Sequence, residues 1–165
     1  MILALRTAVY EVVLGGLLLI GLLMLALDAA PPVGLLPEIL QGLGLLLFGT
    51  GATLWAWATW ELVARGEGTP LPLDPPRHLV TVGPYGWLRN PMHAGLIAVL
   101  IGEALLFRSP VFLGMALVLG GALLAYVVWL EEPSLAGRFG SAWEGYRQTV
   151  SRWLPRRGKR DRPRG

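Results

Sequence analysis

Three carboxylates stand inside otherwise apolar stretches: Glu11, Glu61 and Glu103. A charge facing lipid is costly, so such a residue is paired, near water, or part of a site. Glu61 falls at the end of its stretch and Glu11 lies one turn from Arg6, so both can reach water or a partner. Glu103 is deeper, with Arg108 near it in sequence, and suits a polar contact or a site role equally. A second group, Glu131-Glu132, ends a long uncharged run. Adjacent helical residues point about 100° apart, so only one of the two can face a given pocket. Negative charge at a helix C-terminus opposes the macrodipole and calls for a cation, supplied by Arg89 or by a cationic ligand. Asn90-Pro91 marks a helix start, whose free N–H groups suit an anion. Carboxylates offer acceptors to ammonium and hydroxyl groups. His78 and His93 are the only histidines and cysteine is absent. That excludes disulfides and thiolate chemistry, and no metal site is expected.

These residues need an apolar framework. Of the 165 residues, 54% are hydrophobic and 15% charged, against about a quarter charged in soluble domains. Residues 7–27 hold one charge and residues 39–60 none, each about the 20 residues that cross a bilayer. Apolar spans are expected at 7–27, 39–63, 91–107 and 110–130. The first reads as a retained span, too long for a signal-peptide core and without a clean cleavage site. Only Arg108 and Ser109 separate the third and fourth spans, so these two form a tight antiparallel hairpin. Pro91 and Pro110 suit first helical positions.

All 14 basic residues except Arg108 lie before the first span, between the second and third, or after the fourth. This bias places both termini in the cytoplasm of a bacterial-type inner or plasma membrane. Residues 64–90 are rich in Gly and Pro and form an irregular cytoplasmic loop, with at most one short extended piece at 79–82. Pro133 should kink or restart the chain. Leu135, Phe139, Trp143, Tyr146, Val150 and Trp153 then recur at spacings of three and four, the pattern of an amphipathic helix. Residues 156–165 form a polybasic tail suited to anionic lipid, with no nucleic-acid partner expected. The fold class is thus all-α integral membrane: four transmembrane helices, a tight hairpin of the third and fourth, the loop, and a C-terminal amphipathic helix. Residues 1–155 form one domain. No GxGxxG follows a strand and opens a helix, which excludes a Rossmann cofactor fold.

The run Arg77-His78-Leu79-Val80-Thr81-Val82-Gly83-Pro84-Tyr85, with Arg89-Asn90-Pro91-Met92-His93 and Gly95 behind it, resembles the isoprenylcysteine carboxyl methyltransferase and phospholipid methyltransferase superfamily. Glu131-Glu132-Pro133-Ser134-Leu135, Phe139-Gly140, Trp143, Tyr146, Val150 and Pro155 continue the likeness, which covers about residues 66–155. The resemblance implies an integral membrane enzyme that uses S-adenosylmethionine to methylate a lipophilic or lipidated substrate. It implies that Arg77, His78, Leu79, Val80, Tyr85, Asn90, Pro91, Met92, His93 and Glu131 bind the cofactor. Arg89, as a polar organiser, and Glu132 are expected to act in the reaction.

There are departures. Asn90 stands where prenylcysteine enzymes usually have His, His93 replaces a usual Tyr, and Trp143 another. Prenylcysteine enzymes also place an Arg four residues before the first Glu, and here that residue is Val127. A carboxylate acceptor needs no base, whereas an amine does, and the only bases in view are Glu103, His93 and Glu132. The expectation is therefore O-methylation of an isoprenoid or prenylcysteine-like acceptor, with a phospholipid amine as the alternative. A membrane reductase using NADPH is disfavoured because its C-terminal nucleotide signature is missing, and a non-enzymatic scaffold is a further rival.

Overall fold

The computed structural model describes residues 36–68 and 76–154. The expected first span at 7–27 and the polybasic tail lie outside the described residues. Within them every regular element is helical, and no strand is present. Helix α1 covers Ile39–Gly66, running three residues beyond its expected end. At about 1.5 Å per residue its 28 residues exceed a hydrocarbon core of about 30 Å. Helix α2 is Pro91–Leu106 and α3 is Pro110–Tyr126. Among the described residues, two helices are long and apolar enough to cross a membrane, Ile39–Gly66 and the continuous stretch Pro110–Phe139, while α2 is shorter.

The antiparallel α1–α2 pair is set by glycine. Gly44, Gly51 and Ala58 repeat every seven residues on α1, and Gly95 and Gly102 do so on α2. Strict seven-residue spacing keeps one seam facing its partner. Side-chain-free seams allow backbones to approach closely where no hydrophobic effect drives association. A Cβ on Gly51 would lie 2.7 Å from the Gly95 carbonyl oxygen, and one on Gly102 2.6 Å from the Phe48 nitrogen. Backbone atoms cannot yield as a flexible side chain would. Gly51→Val is therefore expected to destabilise the protein by about 3 kcal/mol or more, at the upper end of overpacking effects. The check is thermal unfolding of the variant in lipid discs, and an unchanged Tm would show that the two helices separate freely.

The α2–α3 hairpin forms as expected. Arg108 adopts a left-handed conformation at φ 53°, which reverses the chain just past a helix end. Its Nε donates to the Leu36 carbonyl at 2.6 Å. Ser109 caps α3, its hydroxyl accepting from the Phe112 N–H at 3.4 Å, and Pro110 follows at the first helical position.

The C-terminal third departs from expectation in its details. The expected restart at Pro133 is present, with an α-helix beginning at Glu132 and Pro133 in its first turn, but the irregularity lies upstream. The proline ring would clash with the carbonyl four residues back, Trp129, and the helix opens there into a π-helical segment, Val127–Glu131. Such bulges absorb one extra residue within a continuous helix. The amphipathic pattern is also not one helix. It forms α4, Glu132–Phe139, and α5, Ser141–Thr149, separated at Gly140 by φ 50° and ψ −121°, a region few other residues enter. Val150 and Trp153 lie beyond α5, in a segment that pairs through a single parallel bridge, Ser151 with Leu88.

Candidate functional site

The polar loop is tied down from three sides. The Arg77 and His78 N–H groups both donate to the Gly66 carbonyl, at 2.7 and 3.2 Å, closing the end of α1. A 3-10 turn at Gly83–Gly86 brings Tyr85 inward, where it packs with Ala58 and Val80. From α5 the Tyr146 hydroxyl donates to the Tyr85 carbonyl at 2.7 Å. Burial raises the Tyr146 pKa above its ordinary value, so the hydroxyl stays protonated and remains a donor. The Arg89 N–H donates to the Ser151 carbonyl at 2.8 Å, and Arg138 on α4 donates to the Pro76 carbonyl.

These ties enclose a cavity of about 440 Å³ between the loop, the start of α2, the π segment and α4–α5, a size that suits a small-molecule ligand. Of the residues expected to bind or react, His78, Leu79, Val80, Tyr85, Arg89, Asn90, Met92, His93 and Glu131 lie on its wall. Arg77 does not. Its side chain is exposed, and its described contribution is the backbone bond to Gly66. Pro91 is fully buried in the helix start and is not a wall residue.

Glu132 is the main correction. Expected to act in the reaction, it lies behind the wall, with both oxygens occupied. Arg152 donates to Oε1 from Nε at 2.9 Å and to Oε2 from Nη2 at 2.6 Å. Arg89 Nη1 and Asn90 Nδ2 donate to Oε1 at 3.1 and 3.3 Å. A carboxylate with four charge-assisted or polar donors is a poor base. Burial lowers the Arg89 pKa, and Glu132 opposes that fall. The hydrogen bond to Glu132 is the main cause that raises the Arg152 pKa.

Glu131 turns the other way, as adjacent helical residues must. It faces the cavity, its Oε2 accepts no hydrogen bond among the described residues, and that atom lies 3.5 Å from His93 Nδ1. Arg89 Nε is likewise buried without a partner among the described residues. Two residues of one wall, Glu131 and Arg89, thus each keep a buried polar atom without a hydrogen-bond partner among the described residues. Such orphaned groups are rare in folded proteins and call for an explanation, a role in the site among them.

Sequence reasoning missed Tyr126 as a wall residue. In a regular helix it would point well away from Glu131, five positions on, but a π segment brings residues five apart onto one face. Arg152, on the polar side of the amphipathic pattern, is a second residue that carries no sequence signal of a site role. Glu103 is not on the cavity wall, and no cluster of metal ligands occurs among the described residues.

A family model for phospholipid methyltransferase matches residues 39–142, more than half of the chain. The chain belongs to the phospholipid methyltransferase family. That family falls within the isoprenylcysteine/phospholipid methyltransferase superfamily expected from the motifs. The family and the two long apolar helices make this protein a membrane methyltransferase. The matched stretch opens on the first residue of α1 and stops inside α5, so Trp143, Tyr146 and Arg152 lie past it. No curated protein and no solved structure matches the chain.

Proposed function

We propose that the cavity binds S-adenosylmethionine and that the protein methylates the headgroup amine of a membrane lipid. The observation that carries this reading is the placement of a carboxylate and a guanidinium on one cavity wall, Glu131 and Arg89, each with a polar atom that has no partner among the described residues. A ligand bearing an amino-acid end and a ribose presents an ammonium and hydroxyls to the first and a carboxylate to the second. When bound, S-adenosylmethionine supplies an electrophilic methyl on a sulfonium. The chain's task is to hold the acceptor in line with that methyl and to exclude water.

An amine acceptor supports the roles of His93 and Val127 better than a carboxylate does. The acceptor nitrogen must lose a proton, and His93, on the wall and 3.5 Å from Glu131, is placed to take it. A carboxylate acceptor needs a cation, but Val127 stands at the Arg position of the prenylcysteine enzymes and is 0% exposed. Leu130 and Tyr126 are on the cavity wall and also on the outer helix surface, which supports lateral entry of a lipid. The thirteen basic residues outside the Arg108 turn support a cytoplasmic site.

The test is methyl transfer in lipid discs from labelled S-adenosylmethionine. Label is expected in phosphatidylethanolamine and not in a prenylcysteine analogue. Label in the analogue alone would reinstate the O-methylation expectation. Calorimetry that found NADPH binding and none for S-adenosylmethionine would overturn both.

A further inference from the structure

The two cavity residues Arg89 and Asn90 are hung from a carboxylate whose own orientation is set from behind. Among the described residues Glu132 Oε2 accepts from Arg152 alone, and Oε1 takes donors from Arg152, Arg89 and Asn90. The Arg152 fork makes two near-parallel bonds, which fix the carboxylate plane as a single contact would not. Arg152 itself is delivered by a segment held by backbone pairing, the parallel Ser151–Leu88 bridge, one bond of which runs from the Arg89 N–H to the Ser151 carbonyl. Its side chain is 37% exposed, so it is not there to fill a core. The cluster of Arg89, Arg152 and Glu132 carries one positive charge in excess, and the part of it that reaches the wall is Arg89.

We propose that Arg152 is a positioning residue for methyl transfer: it fixes Glu132, and through Glu132 the placement of Arg89 and Asn90 on the cavity wall. This rests on the methyltransferase reading above. It extends the working site beyond the family-matched residues, to the segment that follows α5.

The experiment uses the full chain in phosphatidylethanolamine discs, with the variants R152Q, R152K and R152A assayed well below their unfolding temperatures. R152Q is expected to lose about a hundredfold in kcat, the scale of a small misplacement of reacting groups, with little change in the KM for lipid. R152K keeps the charge but not the fork and is expected to recover only a small part of the loss. Guanidinium ion at sub-denaturing concentration should restore part of the R152A activity, and ammonium should not. A residue that only stapled the fold would lower kcat in step with the folded fraction and would not respond to guanidinium. Parent-like kcat in R152Q overturns the proposal, as does R152A that guanidinium leaves unchanged. If R152Q does not fold, R152K decides, with parent-like turnover again overturning it. A parent chain that methylates no lipid and binds no S-adenosylmethionine overturns the methyltransferase reading and this inference together. An active parent with indifferent Arg152 variants overturns this inference alone.

Discussion

Glu131→Gln is expected to weaken S-adenosylmethionine binding about ten- to a hundredfold while leaving the Tm of the ligand-free protein unchanged or raised. The two halves of this result have one cause. Glu131 Oε2 is buried with no hydrogen bond among the described residues, so the ligand-free fold carries an unpaired acceptor, which is destabilising. Gln keeps the shape and removes the charge, relieving that penalty. The ligand then loses its charged partner. A hydrogen bond to a charged group contributes about 1.5–3 kcal/mol, and each 1.4 kcal/mol is about tenfold in affinity. Calorimetry and thermal shift in the same lipid discs give both numbers. Undiminished affinity would remove Glu131 from the ligand site. Lost affinity with a large fall in Tm would make it a structural residue like its neighbour.

The contrast between those neighbours marks how far the sequence could be read. The apolar runs at 39–63 and 110–130 announced their helices because lipid leaves few alternatives to a helix. Arg108-Ser109-Pro110 announced the hairpin because a two-residue gap between spans permits nothing else. The motif at 77–93 brought eight wall residues into view, and Glu131 from the second motif made a ninth. The first motif did not separate Arg77 and Pro91 from them, because both adjoin true wall residues along the chain and differ only in which way they face. Which of Glu131 and Glu132 faces the cavity depends on the exact helical phase at the end of α3. The π segment shifts that phase, and its cause, the clash of Pro133 with the Trp129 carbonyl, acts through geometry rather than composition. Arg152 was illegible for a different reason. Its partner is twenty residues away, and the break at Gly140 that lets the chain turn back depends on a backbone conformation, φ 50°, that many glycines do not adopt.

Glu132→Ala is expected to bring the largest loss of stability of any single substitution in the site. Glu132 is 8% exposed and faces two guanidinium groups, at 3.1 Å for Arg89 and 2.6 Å for Arg152. Removing one partner of a buried pair costs about 3–5 kcal/mol, because the charge left behind has lost its compensation without regaining water. That is a large part of a folding stability of about 5–15 kcal/mol. The loss should be unequal across the pair. Arg152 can turn to solvent, whereas Arg89 has only 13% of its side chain exposed and its Nε has no partner among the described residues. The decisive measurement is a double-mutant cycle. E132A combined with R152A should be destabilised by less than the sum of the two single variants, by about 0.5–3 kcal/mol, the range for residues sharing one network. Additive losses would mean that the carboxylate and Arg152 do not act as a unit, and Arg152 would then have no route to the cavity wall.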